Sequence, residues 1–208
     1  DKLTIDAQNG IVATTRWGEN TITTHAKELS VNSVDSAITN WSDLTQNNTA
    51  STNIKVAGND ITLFSEGYGV LSDVRNSNRN TSLIDVQGDT RLTIKAPYVA
   101  YSFSGGLSGT GEGTINLNTN GIGRTDLNGG IVALHNSDIN IGLNTADSVW
   151  TGFAQDARTD ASLTGAINVV AKNGATWNVR SILAENDRVD SEDPKSYLTS
   201  WHSVDASR

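Results

Sequence analysis

The chain has no cysteine, no methionine and only two prolines in 208 residues. Without Cys there is no disulfide framework and no thiolate metal site. Two prolines rule out a Pro-rich linker. Charge is also scarce, at 18% of residues, and leans negative, with a net charge of −8 and a pI near 4.7. The few Lys and Arg are scattered and form no basic stripe. That argues against a nucleic-acid partner and against an anionic membrane surface. No run reaches the ~18 apolar residues of a membrane-spanning helix, and no signal-peptide pattern is present. The chain starts at Asp1 rather than Met, so a processed product or a segment is expected.

What fills the chain instead is Ser, Thr and Asn, about a third of all residues and above ordinary usage. These residues suit strand faces and turns and are poor helix formers. The apolar residues, 36% of the chain, come in alternating sets, which excludes general disorder. The clearest set is Asn53 to Phe64, NIKVAGNDITLF: Ile54 and Val56, then Gly58-Asn59-Asp60, then Ile61 and Leu63. It returns from Leu83 to Lys95 as LIDVQGDTRLTIK, with Ile84 and Val86, Gly88-Asp89, then Leu92 and Ile94. Each reads as two half-buried strands with a tight corner between them.

The same phrase recurs along the chain. Leu3 and Ile5 precede Ile11 to Ala13, and Ile22 precedes Leu29 and Val31. Ile115 and Leu117 lead into an Asn120-Gly121 turn. Ile131 to Leu134 pairs with Ile139 and Ile141, and Val149 to Phe153 supplies a further strand. Ile167 and Val169 precede Asn173-Gly174, Trp177 and Val179. Tyr98 to Phe103 is another alternating strand. Asn32 to Thr52 reads as a polar loop with a helical turn around Ser36 to Leu44, and Arg75 to Ser82 as a turn. A second repeat, Arg124-Thr125-Asp126 and Arg158-Thr159-Asp160, each followed by an apolar set, is spaced by 34 residues.

A single such unit cannot bury its apolar face; stacked units can. The reading is therefore an all-β parallel β-helix, or solenoid, of about 6–7 coils with loop excursions. Val, Ile and Leu point inward and Thr and Asn outward, with Ile54 stacked over Ile84. An antiparallel sandwich is the alternative, since the same turns close hairpins. Head-to-tail alignment of the repeats favours the solenoid. Residues 1–184 form the helix segment. Residues 185–208 break the rhythm and read as an acidic loop or linker continuing the stalk, or a short helix around Lys195 to His202.

At Asn173 to Val179, NGATWNV, the chain resembles the passenger domains of bacterial autotransporters, exported by the type V route. The Asn/Thr/Ser/Gly bias, the repeated phrases and the missing Cys extend the likeness from Leu3 to Val179. The resemblance implies a right-handed parallel β-helix displayed outside the cell, most often an adhesin and less often a protease or toxin.

Catalytic motifs are absent. Gly106-Leu107-Ser108-Gly109-Thr110 fails the G-x-S-x-G pattern at its last position. His25, His135 and His202 stand alone, beside no serine motif, and do not make a zinc site. Glu185, Asp187, Asp190, Glu192 and Asp193 lack the spacing of an EF-hand and read as a solvated loop. GTGEG and GIGRTD lack the rest of a phosphate cradle. Asp85, Asp89, Asp126, Asp138 and Asp160 are the candidate acids if neighbouring coils bring carboxylates together, as polysaccharide-cleaving β-helices do. No cofactor and no metal is expected.

The candidate ligand-binding residues are aromatic: Trp41, Tyr68, Tyr98 and Tyr101, read as lying in or beside the longer loops. Trp17, Trp150 and Trp177 read as interior. The function expected is a non-enzymatic cell-surface adhesin segment. Its partners would be glycans or proteins of host or bacterial surfaces, with self-association a further option. A polysaccharide-degrading β-helix and a structural spacer are the alternatives.

Overall fold

The computed structural model describes residues 1–15, 18–42, 50–74, 80–104, 111–155, 165–172, 174–180 and 198–204. Thirteen strands are present among them and no helix. They are β1 (Lys2–Thr15), β2 (Gly18–Ser42), β3 (Ala50–Ser65), β4 (Tyr68–Val74), β5 (Thr81–Ser104), β6 (Glu112–Leu117) and β7 (Arg124–His135). Then follow β8 (Ser137–Leu143), β9 (Val149–Gly152), β10 (Ala154–Gln155), β11 (Ala166–Lys172), β12 (Thr176–Val179) and β13 (Ser200–Val204). Every pairing is parallel and the partners come from successive turns. The chain is a parallel β-solenoid.

Alternation fixes which residues enter the core, and stacking fixes what they meet. Three faces result, called A, B and C here in chain order within a turn. On face A the inner column is Ile22, Ile54, Ile84, Ile115, Ile139 and Ile167. On face B it is Ile5, Val31, Leu63, Ile94, Leu127, Trp150 and Trp177. On face C it is Ile11, Ile38, Val70, Ala100, Ile131 and Ala154. These columns make one continuous core. Each buried Ile or Leu is worth about 1.5–3 kcal/mol of removed apolar surface.

Five turns carry all three faces, with partial turns at both ends. The expected 6–7 coils counted those partial turns as whole. Ile54 stacks on Ile84, and Gly58 to Asp60 is a corner between faces A and B, where the register slips. A Cβ at Gly58 would run into the Ala26 carbonyl oxygen of the turn before. At the far end the interior becomes aromatic. Trp150 and Trp177 stack with centroids 4.6 Å apart and planes at 10°. Their indole N–H groups donate to the carbonyls of Gly129 (3.0 Å) and Gly152 (3.1 Å), each one turn earlier. Trp17 lies outside the described residues.

Four readings are corrected. Residues 32–42 are strand, not loop or helical turn: Ser36 to Trp41 pairs with both β1 and β4. Ile131 and Ile139, read as one pair, belong to face C of one turn and face A of the next. The 34-residue repeat is not structural, because Ile131 lies on face C and Ile167 on face A. Finally, Ser200 to Val204 is a strand paired with β11, not part of a helix. Residues 43–49, 75–79 and 181–197, where other loop readings fell, lie outside the described residues.

Ile54→Asp or Ile84→Asp places an unpaired charge in the stack and is expected to cost about 3–5 kcal/mol or more. Thr62→Asp, on the exposed outer side of face B, is expected to stay within about 0.5 kcal/mol. Urea melts of the three variants check this. Equal losses would contradict the register.

Candidate functional site

Strand alternation that sends Ile11, Ile38 and Val70 inward sends their neighbours outward, and stacking sorts those neighbours into columns. One outer column of face C is Val12, Thr39, Leu71, Tyr101 and Val132; a second starts Thr14, Trp41, Asp73. At the start of the face, Tyr68 sits in register with Tyr98. The four aromatic candidates are therefore strand residues of β2, β4 and β5, not loop residues. All four lie on the outside of face C.

Three of them touch. Tyr68 and Tyr98 stack at 5.4 Å with planes at 20°. Tyr101 meets both edge-on, at 5.4 and 5.7 Å. Phe153 extends the row, edge-on to Tyr98 at 6.1 Å. The intervening turn has Gly130 where a side chain would collide with the Phe153 ring. This cluster holds Tyr68 from one side. The stacked ring faces are turned on each other, so they offer edges rather than flat platforms.

Trp41 differs. It is 47% exposed and takes no part in the ring cluster. It lines an open groove of about 650 Å³ over the first three turns. The apolar lining is Val12, Val34, Trp41, Tyr68 and Leu71; Asp35, Glu66 and Asp73 supply carboxylates. Among the described residues no Lys, Arg or His lines it. Thus Trp41 and Tyr68 share one groove, while Tyr98 and Tyr101 stand behind Tyr68 outside its lining. Val12 and Val34, at 40% and 46% exposure, are among the most exposed large apolar residues described. Sequence reading missed both, and missed the acids beside them; Val34-Asp35 fell in the stretch taken as loop.

Packing at the corner between faces B and C shapes the groove. Asp35 and Glu66 sit there on successive turns. Ser65 Oγ donates to the Asp35 carbonyl (3.1 Å), and the Gly67 N–H donates to Ser65 Oγ (3.2 Å). A side chain at Gly67 would collide with the Asp35 carbonyl oxygen, so this close approach needs glycine. The Asp35 carboxylate accepts one long bond, from Asn9 Nδ2 at 3.4 Å. Asp73 is buried and already partnered.

The candidate acids are dispersed. Asp85 and Asp138 are on face A, two turns apart and two residues out of register, so at least ~10 Å separates them along the stack. Gln87 Nε2 donates to Asp85, and Asn120 Nδ2 donates to Asp89 at 3.3 Å. Asp126 is on face B, paired with Arg124 at 2.9 Å; Arg124 also meets Asp147 at 3.0 Å. The Asp126 hydrogen bond is the first cause of a raised Arg124 pKa, and the Thr145 hydroxyl the first cause of a lowered one at Asp147. Asp160, Ser108 and the cluster from Glu185 to Asp193 lie outside the described residues. His25, His135 and His202 fall on three separate strands, β2, β7 and β13. Among the described residues no three His, Asp or Glu side chains gather as a metal requires.

Compared with known proteins, the chain matches no family model, no curated protein and no solved structure.

The division between cluster and groove is measurable. Tyr98→Ala removes a ring that Tyr68, Tyr101 and Phe153 all contact, and is expected to cost about 1–3 kcal/mol. Trp41→Ala, in the open groove, is expected to stay within about 0.5 kcal/mol. Equal losses in thermal melts would contradict this assignment.

Proposed function

We propose that this chain is part of a bacterial cell-surface adhesin of the autotransporter passenger type, and that the groove on face C is where it holds its ligand. The observation that carries this reading is Trp41, a large flat side chain left half open to solvent beside Tyr68, Val12 and Val34. Exposing apolar surface in one concentrated patch costs solubility without helping the fold, and such patches mark interaction sites. The β-solenoid supports the reading as a stiff rod that presents the groove at a fixed angle. The polar composition supports display in water, and the NGATWNV likeness supports the export route. On this reading the mechanism is binding, with no reaction.

Phe64 provides an internal control. It is 46% exposed, as much as Trp41, but lies on face B away from the groove. The purified segment, applied to cells and to a glycan array, is expected to bind. Trp41→Ala is expected to weaken binding at least ~10-fold, about 1.4 kcal/mol or more, as a central anchor would. Phe64→Ala is expected to stay within about twofold, since isolated surface apolar residues contribute little. Equal effects of the two would contradict the groove. No binding by the unaltered segment would favour the spacer reading.

A further inference from the structure

Among the described residues, basic side chains are sorted by face. The described Lys and Arg residues (Lys2, Lys27, Lys55, Arg91, Lys95, Arg124, Lys172 and Arg180) all lie on faces A and B or at the corners flanking B. The described strands of face C carry none. Three of these bases are in ion pairs: Lys2 with Glu28, Arg91 with Asp60, and Arg124 with Asp126 and Asp147. The two exposed acids at the groove have no described base beside them in its lining. Asp35 has only its long bond from Asn9, and the Glu66 carboxylate has no partner among the described residues. Two uncompensated carboxylates on successive turns therefore flank an apolar trough holding Trp41.

We propose that the groove's occupant is a Lys- or Arg-bearing segment of a partner protein. This rests on the reading of the groove as the binding surface. A long basic side chain combines what the groove offers: an aliphatic stem to lie along Val34, Leu71 and Tyr68, and a cationic head for Asp35, Glu66 and the Trp41 ring. Such complementarity steers encounter and selects partner as well as adding affinity. A neutral sugar would stack on Trp41 and could donate hydroxyl hydrogen bonds to the carboxylates, but would leave their charge uncompensated. An acidic glycan would meet repulsion from both.

The test uses a labelled nonapeptide of alternating Lys and Leu and its twin with every Lys acetylated, followed by fluorescence polarisation against the whole chain. The Lys peptide is expected to bind. Acetylation, Trp41→Ala, and Asp35→Asn combined with Glu66→Gln are each expected to weaken it at least ~10-fold, and added salt to weaken it further. Equal affinity of the acetylated twin would overturn the proposal, because the charge would then do nothing. Indifference to Trp41→Ala would also overturn it, because a generally acidic surface attracts any polycation. Failure of the peptide to bind, with cell or glycan binding still dependent on Trp41, would refute the cationic occupant and leave the groove standing. Cell binding indifferent to Trp41 would refute the groove itself.

Discussion

Everything in this molecule depends on one constraint: each turn must bring its strands back into register over the turn before. The inner column of face A, from Ile22 to Ile167, is the plainest expression of it. The number of residues per turn is free to vary, from 32 between Ile22 and Ile54 to 24 between Ile115 and Ile139. The strand positions are not, because a slip of one residue would send every inner side chain into solvent. Hence the connections absorb the variation, chiefly the one from face C to the next face A, 16 residues from Ile38 to Ile54 but 8 from Ile131 to Ile139.

The same constraint makes the surface. Register that stacks Ile38 on Val70 also sets Thr39 over Leu71 and Trp41 over Asp73. Outer residues far apart in sequence become neighbours, and three turns suffice to assemble a groove. Ring stacking then divides the aromatic residues. Tyr68, Tyr98 and Tyr101 spend their faces on one another and stiffen the wall, whereas Trp41 keeps its face open. With basic residues confined elsewhere among the described faces, the groove has both apolar character and uncompensated negative charge.

Faces A and B were legible in the sequence because their inner positions are nearly all aliphatic, as in Ile54-x-Val56 and Ile61-x-Leu63. Face C was not. Its second inner position reads Ala13, Asn40, Ser72, Ser102 and Ala133, a column that alternation rules score as polar or neutral. The structure buries Asn40, Ser72 and Ser82 together, with Asn40 Nδ2 donating to the Ser82 hydroxyl at 2.8 Å and to the Thr52 carbonyl at 3.1 Å. Hydrogen bonding inside the corner replaces apolar packing there. That is why residues 36–42 looked like a loop. It is also why Trp41 was picked out as a candidate without the Val12, Val34, Asp35 and Glu66 that share its groove. Residue type identified the aromatic candidates; only the register shows which of them are neighbours.

The register itself is the central claim, and the absence of cysteine makes it simple to measure. Thr62 and Thr93 are outward neighbours on successive turns, whereas a hairpin closed at Gly58-Asn59 would instead oppose Thr62 with Lys55. Paired strands place such neighbours about 4.8 Å apart, within reach of a disulfide. Mild oxidation should cross-link Thr62→Cys with Thr93→Cys rapidly and within one chain, and leave Thr62→Cys with Lys55→Cys reduced. The opposite outcome would contradict the stacked turns and, with them, the groove.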